Sequence, residues 1–284
     1  MEVRSHPVSR LLIILNQYSL DASLVALTWL WTFEIEAQTR LSWSHYLLLG
    51  GSVWCVYTAD RLLDGLAQPT GGPVALRHAF AEKHFAPLLA GCIAVTSLMI
   101  VLSLALLPWA VLLSWIAVAS ILGLYLVLVH WFRPARMAFP KELLVAFIFA
   151  AGSSIFVFAT RPESWARLLV PFCAACLLFF GNTWAISKWE LPLDRPFNRS
   201  SIALDFPRSS RFLPWYLVGL ILAALVAPMF ALASWRIGAS VAASSALLLL
   251  LDRRGSHIGL QERRELADLV LLTPLVAGIP YLAF

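Results

Sequence analysis

Apolar segments long enough to cross a bilayer as helices recur nine times along the chain, and this return constrains the fold more than any other feature. Each crossing takes about 20 residues. The segments lie near 11–33, 43–63, 85–107, 109–132, 141–160, 166–188, 213–234, 236–251 and 267–284. The eighth is short and the third and fourth meet at Pro108, so a count of eight stays open beside nine. Sixty per cent of the 284 residues are apolar, 13% are charged and the mean hydropathy is +0.80. That composition excludes an ordinary soluble globular domain. The expected fold is therefore all-α, a polytopic membrane helix bundle forming a single transmembrane domain over 1–284. The first segment is of full spanning length and lacks a small-residue cleavage site after a short core, so it reads as a permanent helix.

The net charge of +5 is accounted for by topology rather than by nucleic acid. Of the 21 Lys and Arg residues, 17 fall on the side that holds the N-terminus when loops are assigned alternately, and four (Arg40, Arg161, Arg167 and Arg236) fall on the other. The positive-inside rule then places the N-terminus in the cytoplasm and the C-terminus outside, in the cell membrane. The tryptophans cluster near segment ends, as interfacial anchors do. Cys55, Cys92, Cys173 and Cys176 lie within apolar segments. The Cys173-x-x-Cys176 spacing lacks a second pair to complete a zinc site and reads as buried packing.

Charge is scarce in the spanning segments, which makes its position informative. The second segment ends in Asp60-Arg61-x-x-Asp64, and the sixth in Glu190-x-x-x-Asp194-Arg195. Residues four apart share a helix face, so each pair is a small carboxylate clamp, with Tyr57 below the first and Thr183 and Ser187 below the second. Both segments run outward to inward, so the clamps reach the same cytoplasmic boundary. A lone acidic pair at a helix end commonly just faces solvent, but two at matching positions suggest a duplicated arrangement of two four-helix halves plus a ninth helix. Four carboxylates around one mouth repel unless cations lie between them. Oxygen ligands suit Mg²⁺, especially where a substrate phosphate completes the shell. Arg61, Arg77, Lys141, Lys188 and Arg195 belong to the same side and are the expected diphosphate-binding residues.

Two long cytoplasmic stretches, 65–84 and 195–212, follow the clamps and are candidate active-site lids. The first contains Pro69, Gly71, Gly72 and Pro73 before a short amphipathic piece from Ala75 to His84. Asn16 and Asp21 lie within the first segment, where an ionisable group usually faces a cavity or the bundle interior. They are expected to line the pocket with Tyr57, Asn182 and Ser187. A tie between Asp21 and a neighbouring helix such as that of Asn182 stays open. No P-loop, G-x-S-x-G, H-E-x-x-H or G-x-G-x-x-G motif is present.

With these residues in place, the chain resembles the UbiA superfamily of intramembrane prenyltransferases. That family's first motif reads N-D-x-x-D-x-x-x-D. Here Val56 and Tyr57 stand at its first two positions, and Asp60 and Asp64 keep its last two. The second motif, D-x-x-x-D, appears as Glu190-x-x-x-Asp194. A lysine eleven residues before a glycine matches Lys141 and Gly152, and the tyrosine usual four residues ahead of it is Met137. The resemblance implies Mg²⁺-dependent transfer of an isoprenyl group from an isoprenyl diphosphate to an aromatic or other lipophilic acceptor. It implies Asp60, Asp64, Glu190 and Asp194 as the metal-binding, catalytic set, and a site open to the lipid bilayer. A non-catalytic or transport-type lipid-binding protein on the same scaffold, or an intramembrane terpene cyclase, are the alternatives. Asp64-Gly65 also matches the start of the CDP-alcohol phosphotransferase motif, but the Ala-Arg and the later D-x-x-x-D of that motif are missing.

Overall fold

The computed structural model describes residues 14–66, 76–129, 140–195, 200–255 and 258–278. Twelve helices occur among them: α1 (Leu20–Glu36), α2 (Trp43–Leu66), α3 (Leu76–Lys83), α4 (Phe85–Leu106), α5 (Trp109–Val127), α6 (Lys141–Thr160), α7 (Trp165–Asp194), α8 (Ile202–Asp205), α9 (Leu213–Val226), α10 (Trp235–Arg253), α11 (Leu260–Leu269) and α12 (Thr273–Gly278). The chain is a multi-pass membrane protein. Six helical spans among the described residues, α4 to α7, α9 with its 3-10 extension, and α10, are long and apolar enough to cross a bilayer. α10 has 19 residues, so the eighth segment is long enough after all. The third and fourth segments are separate helices because Pro108 forces Leu107 into extended backbone between them. The amphipathic piece expected after the first clamp is α3.

α1 runs through the middle of the bundle and packs on α2, α6, α7, α11 and α12. Its core face carries Trp29 and Phe33, fully buried, with Trp29 edge-on to Phe179 of α7 at 5.2 Å between ring centres. The first spanning segment is not one continuous helix, however. Residues 14–17 are helical, Ser19 takes a left-handed conformation at φ 59°, and α1 starts afresh at Leu20. Such a break in the membrane leaves carbonyls that need partners. α2 supplies them: Arg61 donates to the carbonyls of Asn16 and Gln17, and Trp54 Nε1 donates to that of Tyr18 at 2.8 Å.

The ninth segment departs from expectation in the same way. It begins earlier, in the polar helix α11, and passes through a 3-10 turn at Val270–Leu272 into α12. Trp29 Nε1 donates to the Leu271 carbonyl at 3.0 Å and Ser244 Oγ to that of Val270 at 2.6 Å, so the irregular turn is satisfied from α1 and α10.

The two ends of the bundle differ. At one end, Arg167 bonds Gln38 at 3.0 Å, Arg161 bonds Thr39 at 3.4 Å, and Ser234 N donates to Glu36 at 3.0 Å. These contacts gather three interhelix connections, and exposed Trp43, Trp109, Trp165 and Trp235 open their helices there. Trp165 lies 25 residues before Glu190. At about 1.5 Å per residue, that puts the second clamp roughly 37 Å away, past a hydrocarbon core of about 30 Å. Of the Cys173 and Cys176 pair, expected to be buried, Cys173 is exposed, because its position on α7 faces away from the neighbouring helices; all four cysteines are free thiols.

Candidate active site

At the end opposite those tryptophans, a polar cavity of about 270 Å³ is enclosed by α1, α2, α6, α7 and α11. Asp60, Arg61 and Asp64 reach it from α2, and Asn182, Thr183, Ser187 and Glu190 from α7. Both residues of the first clamp and Glu190 of the second therefore face one space. Asp21, Tyr57 and Lys141 also line it. Asp21 is held by Asn16 Nδ2 at 2.6 Å and by the backbone N–H of Ala22 at 2.9 Å, so its tie is to Asn16 rather than to Asn182. Asn16 is buried beside the cavity and borders a small void with Asp21, Glu265 and Asp268.

Other expected residues stand elsewhere. Lys188 does not line the cavity: its Nζ bonds both oxygens of Asp252 on α10 at 2.8 Å, and Trp189 Nε1 bonds the same carboxylate at 2.9 Å. A helix turns by about 100° per residue, so Lys188 points away from the face that Ser187 shares with Glu190. Arg195 is exposed just past α7 and outside the cavity lining. The side chains of Arg77 and Asp194 lie outside the described residues, as do 67–75 and 196–199 of the two candidate lids. The described part of the second lid folds in. Ser201 lines the cavity, Ile202 N donates to Glu142 Oε1 at 3.0 Å, and Ala203 N donates to Ser187 Oγ at 3.4 Å.

Three charged residues that the sequence reading did not single out complete the wall. Glu142, next to Lys141 on α6, is buried. Arg264 and Asp268 come from α11; Arg264 is ion-paired with Glu190, and Asn182 Nδ2 bonds Asp268 Oδ1 at 3.4 Å. Their four-residue spacing at the edge of an apolar segment was the available signal. Six carboxylates, Asp21, Asp60, Asp64, Glu142, Glu190 and Asp268, thus face three cations, Arg61, Lys141 and Arg264, among the described lining residues.

A second, apolar cavity of about 690 Å³ lies between α2, α4, α5 and α6. It extends from Asp60 back to Leu49, about 17 Å along α2. Its far wall includes Met99, Leu112 and Trp115, the last stacked on Phe156 at 4.8 Å. Tyr57, Asp60, Tyr125, Val145 and Phe149 line both cavities and form a neck between them. Phe149 is edge-on to Tyr57 at 6.3 Å and to Phe179 at 5.0 Å, which gives the neck an aromatic wall.

No family model and no curated sequence matches the chain. A solved apo structure of a UbiA homolog from Aeropyrum pernix K1 superimposes with a TM-score of 0.66 over 93% of this chain and 98% of that one, at 14% identity. The chain has the UbiA fold. A solved digeranylgeranylglyceryl phosphate synthase shares that fold more distantly, with a TM-score of 0.50 over 96% of this chain and 99% of its own, at 15% identity. At the two positions where this sequence departs from the first motif, Val56 lines the apolar cavity and Tyr57 lines both cavities.

Among the described residues, no three His, Cys, Asp or Glu side chains converge closely enough to hold a metal ion alone. The donors around the cavity are nonetheless carboxylate oxygens in excess over cations. That chemistry fits a hard ion such as Mg²⁺, which ordinarily uses one or two carboxylates together with water and substrate phosphates.

Proposed function

We propose that this protein transfers an isoprenyl group from an isoprenyl diphosphate to a lipophilic acceptor within the membrane. The observation that carries this reading is the joining of a carboxylate-rich polar cavity to a long apolar one through a shared aromatic neck. A diphosphate head fits the first, an isoprenyl tail the second, and the scissile C–O bond falls at the neck.

Asp60 and Asp64 from one helix and Glu190 and Asp194 from another would hold Mg²⁺, which would offset the charge of the departing diphosphate. Lys141 at the cavity wall offers an ammonium to the same oxygens. As the C–O bond breaks with its electron pair leaving on oxygen, positive charge develops on the allylic carbon. The ring faces of Tyr57, Tyr125 and Phe149 stabilise such charge. The acceptor then forms the new bond and gives up a proton, for which the carboxylates of the polar cavity are the nearby bases. The apolar cavity excludes water that would otherwise capture the cation. In this reading the site faces the cytoplasm, with Ser201 of the second candidate lid at its wall.

The test is diphosphate release by purified protein supplied with isoprenyl diphosphates of graded length and a membrane lipid extract. Release should require divalent ion and should fall at least 100-fold in Asp60→Asn and in Asp64→Asn, with thermal stability retained. Binding of isoprenyl diphosphate without turnover under any acceptor would support the lipid-binding alternative. A cyclic hydrocarbon formed from the isoprenyl chain itself, with diphosphate and a proton released and no acceptor consumed, would support a cyclase.

A further inference from the structure

Arg264 stands apart from both acidic motifs, on a helix that belongs to neither clamp, yet it reaches the polar cavity. Its Nη1 is ion-paired with Glu190 Oε1, and the two side chains are only 18% and 16% exposed. Its Nε is buried and has no hydrogen-bond partner among the described residues. A buried donor on a charged group is costly to leave unpaired. A guanidinium carries five donors in a planar fork suited to phosphate oxygens, so a carboxylate on one arm leaves recognition capacity on the others.

The two groups have complementary ligand preferences. Glu190 offers hard carboxylate oxygens beside the first clamp, and Arg264 offers N–H donors suited to phosphate oxygens beside the same space. Paired, they neutralise each other, which eases the repulsion among the carboxylates. We propose that Arg264 is a diphosphate-binding residue that acts as a stand-in cation for Glu190, and that ligand binding exchanges the partners. Glu190 passes from the guanidinium to the divalent ion, and the guanidinium passes to phosphate oxygens, so that neither charge is left buried alone at either stage. The inference rests on the isoprenyl diphosphate reading of the cavity and adds to it a residue and an order of events. It also gives α11 a function: the ninth segment starts early so that a polar turn of helix can deliver Arg264 against α7.

The exchange makes opposite predictions for the two ligands. In detergent-solubilised full-length protein, Arg264→Gln should bind Mn²⁺ alone about tenfold more tightly than the wild type, because Glu190 is released from its ion pair. The same variant should bind an isoprenyl thiodiphosphate with Mg²⁺ about tenfold more weakly. Arg264→Lys should recover part of the thiodiphosphate affinity, and Glu190→Gln should raise metal-free thiodiphosphate binding by freeing the guanidinium. Electron paramagnetic resonance of Mn²⁺ and equilibrium binding of the thiodiphosphate read these separately. If Mn²⁺ and thiodiphosphate affinities both fall in Arg264→Gln together with its thermal stability, and Arg264→Lys and Glu190→Gln behave likewise, the ion pair is structural and the exchange is wrong. Unchanged thiodiphosphate binding in Arg264→Gln overturns the exchange alone. A wild type that binds no isoprenyl thiodiphosphate overturns the reading of the cavity, and the exchange with it.

Discussion

Asp252 is 5% exposed at its side chain and depends on Lys188 for charge compensation, while Lys188 itself is 29% exposed. Removing one member of such a pair leaves the other desolvated without a counter-ion, which costs about 3–5 kcal/mol when both are fully buried. Lys188→Met should therefore destabilise the bundle by roughly 2–3 kcal/mol, the reduction reflecting the partly exposed lysine. Thermal unfolding in detergent measures the loss. Isoprenyl diphosphate affinity should stay within about twofold of wild type, since Lys188 holds α7 to α10 and does not face the cavity; a tenfold loss would return it to the binding set. Asp60, Asp64 and Glu190 were legible in the sequence as cavity residues because charge is rare there and four-residue spacing marks a shared face. The direction of Lys188 was not, because sign and membrane side say nothing about azimuth. Arg61 lines the cavity, but its guanidinium also satisfies two carbonyls of a broken helix, and that break carries no Pro or Gly to announce it.

Helix packing decides which residues the cavities receive, and glycine decides how closely some helices pack. At Gly238 on α10, an added Cβ would lie 2.5 Å from the Ala224 carbonyl oxygen and 2.8 Å from Pro228 Cγ. Neither atom belongs to a flexible side chain. Gly238→Ala should push α9 and α10 apart and cost about 1–3 kcal/mol, read as a lowered melting temperature. Gly152 presents the opposite case. It lines the apolar cavity, and a Cβ there meets nothing within 4 Å, so a larger side chain would project into the space proposed for the tail. Gly152→Leu should leave a five- or ten-carbon isoprenyl diphosphate bound as in wild type and weaken the longest bound one about tenfold. Equal affinity for every length in this variant would mean that the tail lies elsewhere. The elements themselves were largely readable from apolar segment length, including the division at Pro108. α11 was missed because its polar sequence, LQERRELADL, resembles a cytoplasmic connector until α1 and α7 are placed beside it. Arg264 was lost to the reading with that helix, and Asp268, inside the ninth segment at 267–284, was passed over.

The molecule as a whole must choose which way its two unlike ends face. One end carries the polar cavity with Asp60, Lys141 and Glu190; the other carries Arg161, Arg167 and four exposed helix-opening tryptophans. Of the 21 basic residues, 17 fall on the cavity side of the alternating assignment, a bias that sets orientation during insertion. A water-soluble diphosphate or Mg²⁺ supplied from the cytoplasm would reach the cavity only in that orientation. Glu163 lies in the connection opening α7 at the tryptophan end, and Pro207 is exposed in the connection between α8 and α9 at the cavity end. In a variant with Cys55, Cys92, Cys173 and Cys176 replaced by Ala, Glu163→Cys should react with a membrane-impermeant maleimide added to intact cells. Pro207→Cys should react only after the membrane is opened. The reverse pattern would place the cavity outside the cell, where basic loops are disfavoured, and would require the asymmetry of charge to serve the ligand rather than insertion. Labelling of both positions in intact cells would break the alternation itself and so the pairing of α2 with α7 on which the shared site depends.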